Sequence, residues 1–169
     1  MSRDSKQQFL DTYDHEHGIT VRLLRAYPAD QLDLRPHPKL KTARELAWVF
    51  ALERGLGTKI WHDVFANGMP SGGPPPPTPP EDWNQLIEGI EQAHREFRAL
   101  VAGATDEELH GTVHFFTAPK TIGPMTRKDM VWFLLHDEIH HRGQFSVYLR
   151  MSGAKVPSIY GPTGDEQWI

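Results

Sequence analysis

Cysteine is missing from this 169-residue chain altogether. That excludes disulfides, a thiol nucleophile and thiolate metal sites, so any metal bound here meets only nitrogen and oxygen. Long apolar runs are missing too, since no stretch approaches the roughly 18 residues that suggest a membrane span. The N-terminal Met1-Ser-Arg-Asp-Ser-Lys is charged and lacks the apolar centre of a signal segment. Basic clusters interleaved with aromatics are also absent, and 18 Lys and Arg stand against 22 Asp and Glu, for a net charge of −4. A nucleic-acid surface would require the opposite balance. The expectation is a soluble, cytoplasmic protein with neither nucleic-acid nor membrane partners.

What is present suits one domain spanning residues 1–169, with 38% apolar residues and a core given bulk by five Trp and eight Phe. Residues 5–27 read as a first helix through Phe9, Tyr13, Ile19, Val21, Leu23 and Leu24, stopped by Pro28. A second opens at Thr42, whose Thr-x-x-Glu spacing to Glu45 predicts a capping box. Its inward stripe is Leu46, Val49, Phe50, Glu53, Leu56 and Ile60. Glu53 is the odd member, because a carboxylate on an apolar stripe must be paired, protonated, hydrogen-bonded or metal-bound.

The run from Ala66 to Pro80 is dense in proline and reads as an extended connector between two antiparallel helices. A third helix follows over residues 80–102, with His94 expected in solvent. Thr105-Asp-Glu-Glu-Leu looks like a single capped turn, and His110–Ala118 shows a short β-like alternation around His114. Thr126 opens the longest helix, which runs to about Ser152 and is ended by Gly153. The tail beginning Lys155-Val-Pro-Ser is irregular and expected to fold back over one end. Four long helices and few strands predict an all-α four-helix bundle with a short extra helix.

The last helix carries the chemistry. Within Leu134–Gln144 lie three of the ten histidines. Residues four apart share a helix face, so the segment offers two stacked pairs, Asp137/His141 and His136/His140. Either pair can hold one edge of a divalent metal. Stepping from Met130 through Leu134 carries the core-facing stripe to Asp137 and His141, and on to Gln144/Phe145, Tyr148 and Met151. A Glu on the second helix then meets the Asp/His pair between facing helices. His140 either orients a ligand or sits at the surface. Arg142 either binds an anionic substrate group or pairs with a carboxylate of another helix. Gly143 is expected to let a neighbouring helix approach, and Gln144 to hydrogen-bond inside the bundle.

At these residues the chain resembles the DinB/YfiT-like superfamily. His140-His141-Arg142-Gly143-Gln144 has the shape of that family's His-Arg-Gly-Gln signature, and Arg35-Pro36-His37-Pro38, Thr42-Ala-Arg-Glu-Leu-Ala and Lys155-Val-Pro-Ser-Ile-Tyr-Gly-Pro also fit. The resemblance implies a DinB-like bundle, often homodimeric, with a metal held by three histidines. It also implies metal-dependent hydrolysis, or transfer of a low-molecular-weight thiol, on a small-molecule substrate. Carried over by position, the match is partial. The histidine before Arg-Gly-Gln falls on His141, its partner one turn earlier on Asp137, and the second-helix histidine on Val49. In one explanation the site has shifted to Glu53, Asp137 and His141, a set suited to Zn, Ni, Mn or Fe. In another, Asp137 and His141 form a buried hydrogen-bonded pair without metal, joined by Glu53, Arg142 or a tyrosine hydroxyl, in a non-catalytic stress-response or ligand-binding protein. A third uses His136 and His140 with His62 or His114.

Overall fold

The long helices after the first start where the chain supplies a cap. Thr42 accepts from the Glu45 amide while the Glu45 carboxylate returns to the Thr42 amide, the expected capping box. Asp82, Thr105 and Thr126 cap the later helices in the same way through their side-chain oxygens. The computed structural model describes residues 5–169; the first four residues of the charged N-terminal segment lie outside the described residues. The elements are α1 (Ser5–Ala26), α2 (Ala43–Trp61), α3 (Trp83–Gly103), α4 (Asp106–His110), β1 (Thr112–Ala118), β2 (Thr121–Thr126) and α5 (Arg127–Met151). The architecture is the expected all-α bundle with one small addition. The alternation around His114 becomes β1, which pairs antiparallel with β2 in a hairpin leading directly into α5. Sequence reading misses β2, because its Gly123-Pro124 interrupts any strand-like pattern.

α1 and α2 each pack against both α3 and α5. Two apolar clusters fill the interior. One gathers Leu23 and Leu24 with Leu46, Trp83, Leu86 and Leu149, and the other gathers Phe9 with Ile60, Phe97, Val101 and Met130. The first thus joins the end of α1 to the starts of α2 and α3 and the end of α5. The second joins the opposite ends.

This corrects the antiparallel expectation for the proline-rich connector. Trp48 lies against Gly89, and nine residues later Gly57 lies against Phe97, so α2 and α3 run in the same direction. The connector is therefore a crossover returning the length of the bundle. α2 has 19 residues and a helix rises about 1.5 Å per residue, so that return is about 28 Å. Extended polyproline, at about 3.1 Å per residue, covers it in roughly nine residues. Trp48 Nε1 donates to the Pro77 carbonyl at 2.9 Å and pins the crossover against α2.

The tail folds back as expected. Arg22 donates to the Ser158 carbonyl and Arg150 pairs with Asp165 at 2.6 Å, which ties the tail to α1 and α5. Among the described residues no helix is long and apolar enough to cross a membrane.

Candidate metal centre

α2 and α5 pack side by side, and the middle of each carries the residues of interest. Glu53 is buried on the inward stripe of α2, as its spacing predicts. Asp137 and His141 stand one turn apart on α5, both half-buried. Among the described residues, these three are the one set of imidazole and carboxylate groups whose ligand atoms converge, all within 4.8 Å of one another. His141 Nδ1 lies 2.7 Å from Glu53 Oε1 and 3.7 Å from Asp137 Oδ1.

The short contact has the length of a hydrogen bond but not its direction. Neither His141 Nδ1 nor Glu53 Oε1 makes a well-directed hydrogen bond, although both atoms are buried. Direction decides here, since a misaligned contact recovers little of what desolvation costs. Burial lifts the Glu53 pKa to about 7, with the Asp137 carboxylate adding to the rise and His141 opposing it. His141 is in turn raised, chiefly by the Glu53 carboxylate beside it.

The other sequence candidates are elsewhere. His136 and His140 are exposed on the outward side of α5, where His140 Nε2 meets the Gln144 amide nitrogen at 2.8 Å. His62 is exposed, and His114 is engaged with Asp63 at 3.1 Å. Arg142 takes the second of its two expected roles. It is 1% exposed and paired with Glu16 of α1 at 2.6 Å, with Tyr160 of the tail donating to the same carboxylate. Buried in this way, it presents nothing to a substrate. Gln144 is exposed rather than inside the bundle, and a Cβ on Gly143 would meet nothing within 4 Å. The close-approach glycine is Gly57, where a Cβ would stand 2.7 Å from Leu134 Cδ1 and 2.8 Å from Phe97 Cε2.

A second layer of charge lies just behind the triad, and sequence reading overlooks it. Arg54 pairs with Glu138 at 2.9 Å, donates to the Tyr13 hydroxyl and the Phe50 carbonyl, and is 4% exposed. Glu138 also accepts from Thr20 of α1. Arg54 further donates to His17 Nδ1, and the His17 ring stacks on His94 at 3.7 Å. His94, expected in solvent, is 5% exposed and donates from Nε2 to Asp14. A signal for this layer exists in the sequence. Met130, Leu134, Glu138, Arg142, Phe145 and Leu149 recur every three or four residues, with opposite charges at the centre of the run. Stepping by three after Leu134 leads to Asp137, at the rim of the buried face. Stepping by four leads to Glu138, at its middle.

The DinB family model matches residues 1–168. The chain belongs to the DinB family. This DinB chain is 28% identical to the uncharacterized protein YrdA of Bacillus subtilis over 159 residues, which cover 94% of this chain and 89% of YrdA. A DinB-like protein of Bacillus cereus superposes with a TM-score of 0.74 at 22% identity, covering 91% of this chain and 97% of that one. The DinB-like protein YjoA of B. subtilis superposes with a TM-score of 0.68 at 18% identity, covering 96% and 99%. At these identities the solved structures establish the DinB-like fold. The triad and its chemistry are read from this chain's own residues.

Proposed function

We propose that this DinB-family chain is a divalent-metal-dependent hydrolase acting on a small molecule, with Glu53, Asp137 and His141 as the metal ligands. One observation carries the reading. Two buried polar atoms, His141 Nδ1 and Glu53 Oε1, face each other misaligned at 2.7 Å with Asp137 alongside. Buried polar atoms left in this state are costly, and a shared cation converts them into ligands. Two carboxylates and one imidazole suit Mn, Fe, Ni or Zn with coordination positions left open. A cation held there supplies an activated water or polarises a substrate carbonyl. Glu53 would hold a cation as its carboxylate. The oxygen-rich set favours water over thiolate, which places hydrolysis ahead of transfer from a low-molecular-weight thiol.

A second reading draws on the same contact. With one proton shared between them, Glu53 and His141 form a buried pair that needs no metal, in a protein that binds a ligand without reaction. Elemental analysis of untagged protein, purified without chelator or nickel resin, separates the two. About one metal per chain, lost in Asp137→Ala, supports the enzyme. No metal in the native chain supports the binding protein.

A homodimer and a cytoplasmic location belong to this proposal as well. The homodimer is supported by the outward stripe of α5, where Phe133, Val147 and Met151 are exposed. Sedimentation of wild type beside Val147→Glu tests it, and equal masses would remove that support.

A further inference from the structure

The crossover does more than connect two helices. Between it and α2 and α3 lies a cleft of about 610 Å³. Small-molecule sites span roughly 300–1,000 Å³. Its walls are apolar, made by Trp48, Leu52 and Leu56 from α2 and by Pro74–Pro77 from the crossover. The cleft is built rather than incidental. The Trp48 ring packs over Gly89, where a Cβ would come within 3.2 Å of it, and its indole nitrogen is fixed to the Pro77 carbonyl.

Among the described residues, two charged ones line the cleft, Glu53 and Lys59. They are six positions apart on α2, so their Cα atoms are separated by about 9 Å along the helix axis. Glu53 is also a member of the metal triad, which places the cleft and the triad on one residue.

We propose that this cleft holds the organic body of the substrate, a small amphipathic anion. Its apolar or aromatic part lies against Trp48, Leu52 and the prolines. Its carboxylate, sulfonate or phosphate group meets Lys59, and its reacting group reaches Glu53. The assignment of substrate class rests on the metal-centre reading, whereas the cleft as a binding site does not.

Anilinonaphthalene sulfonate, an aromatic anion, is the probe, titrated into full-length protein freed of metal by chelation. Gly55 supplies the decisive variant. It lines the cleft, it is exposed, and a Cβ there meets nothing within 4 Å, so Gly55→Phe fills the cleft without disturbing the core. The expected result is one saturable site in wild type, with energy transfer from tryptophan that falls in Trp48→Phe, the other four tryptophans lying outside the cleft lining. Binding should be lost in Gly55→Phe. It should weaken roughly two- to fivefold in Lys59→Glu, the scale of one exposed charge pair. Absence of a saturable site, or equal binding by Gly55→Phe, overturns the proposal. Probe binding lost in Gly55→Phe, together with no metal in the native chain, would leave the cleft standing and defeat the metal-centre reading alone.

Discussion

Glu138 and Arg142 stand one turn apart on α5, both buried, and each pairs with an opposite charge from a different helix: Glu138 with Arg54 of α2, Arg142 with Glu16 of α1. Each also directly follows a triad residue, Glu138 after Asp137 and Arg142 after His141. Since Arg54 likewise follows Glu53, the ion pair between Arg54 and Glu138 sets the rotation of α2 against α5, and with it the convergence of the three ligand groups.

Removing one half of that pair should be far worse than removing both. Glu138→Leu leaves a buried, uncompensated guanidinium, for which a loss of about 3–5 kcal/mol is expected. Adding Arg54→Met to it should recover most of that loss. Urea unfolding of the two variants checks the difference. Equal destabilisation would mean that the charge left behind is not the cause.

The glycines give a contrast in sign. Gly57→Ala drives a methyl into Leu134 and Phe97, and overpacking of this kind costs about 1–3 kcal/mol. Gly143→Ala meets open space and should stabilise by roughly 0.5–1 kcal/mol through helix propensity. Thermal melts of both variants test the pair of predictions.

Acid should weaken the fold through the stacked histidines. Burial pulls His17 down to about 2, reinforced by His94, Arg54, Arg95 and Arg25. Burial pulls His94 down to about 4, with Arg54 adding and Asp14 opposing. An unfolded histidine titrates near 6.5, so below that pH the unfolded chain binds protons that the folded chain refuses. Stability therefore falls as pH drops from about 6.5 towards 4, by roughly 1–2 kcal/mol per histidine at pH 5. Urea midpoints at pH 7 and pH 5 measure the fall, and it should shrink in His94→Gln.

Restoring the family's histidines should retune the centre. Val49 lies one turn before Glu53 on α2, and Asp137 one turn before His141. Val49→His with Asp137→His is expected to raise zinc affinity by about tenfold or more, as imidazole replaces oxygen. Competition against a zinc-binding dye provides the measurement, and no gain would count against the alignment of α2 with α5.

The helices were legible because their signals are local. The capping box at Thr42, the cap at Thr126 and Gly153 after α5 each act within a few residues. Glu53 was legible too, as a lone carboxylate on an apolar stripe. The polarity of α3 was not, because a proline-rich segment states its reach but not the direction of the helix that follows. The buried ion pairs escaped for a related reason. Pairing with a carboxylate of another helix is an expected role of Arg142, but Glu16, Arg54 and Glu138 each look like solvated charges until their partners are placed, and every partner is at least 84 positions away.

The crossover's information lies in its length rather than its chemistry. With α2 and α3 pointing the same way, a tight turn cannot replace it. A chain trimmed there would have to reverse α3, giving every α3 residue a new neighbour and exchanging the apolar cluster that each end of the helix supplies. Exchanging single prolines for other residues leaves the span intact. Excising ten residues would change which protein the remaining sequence encodes.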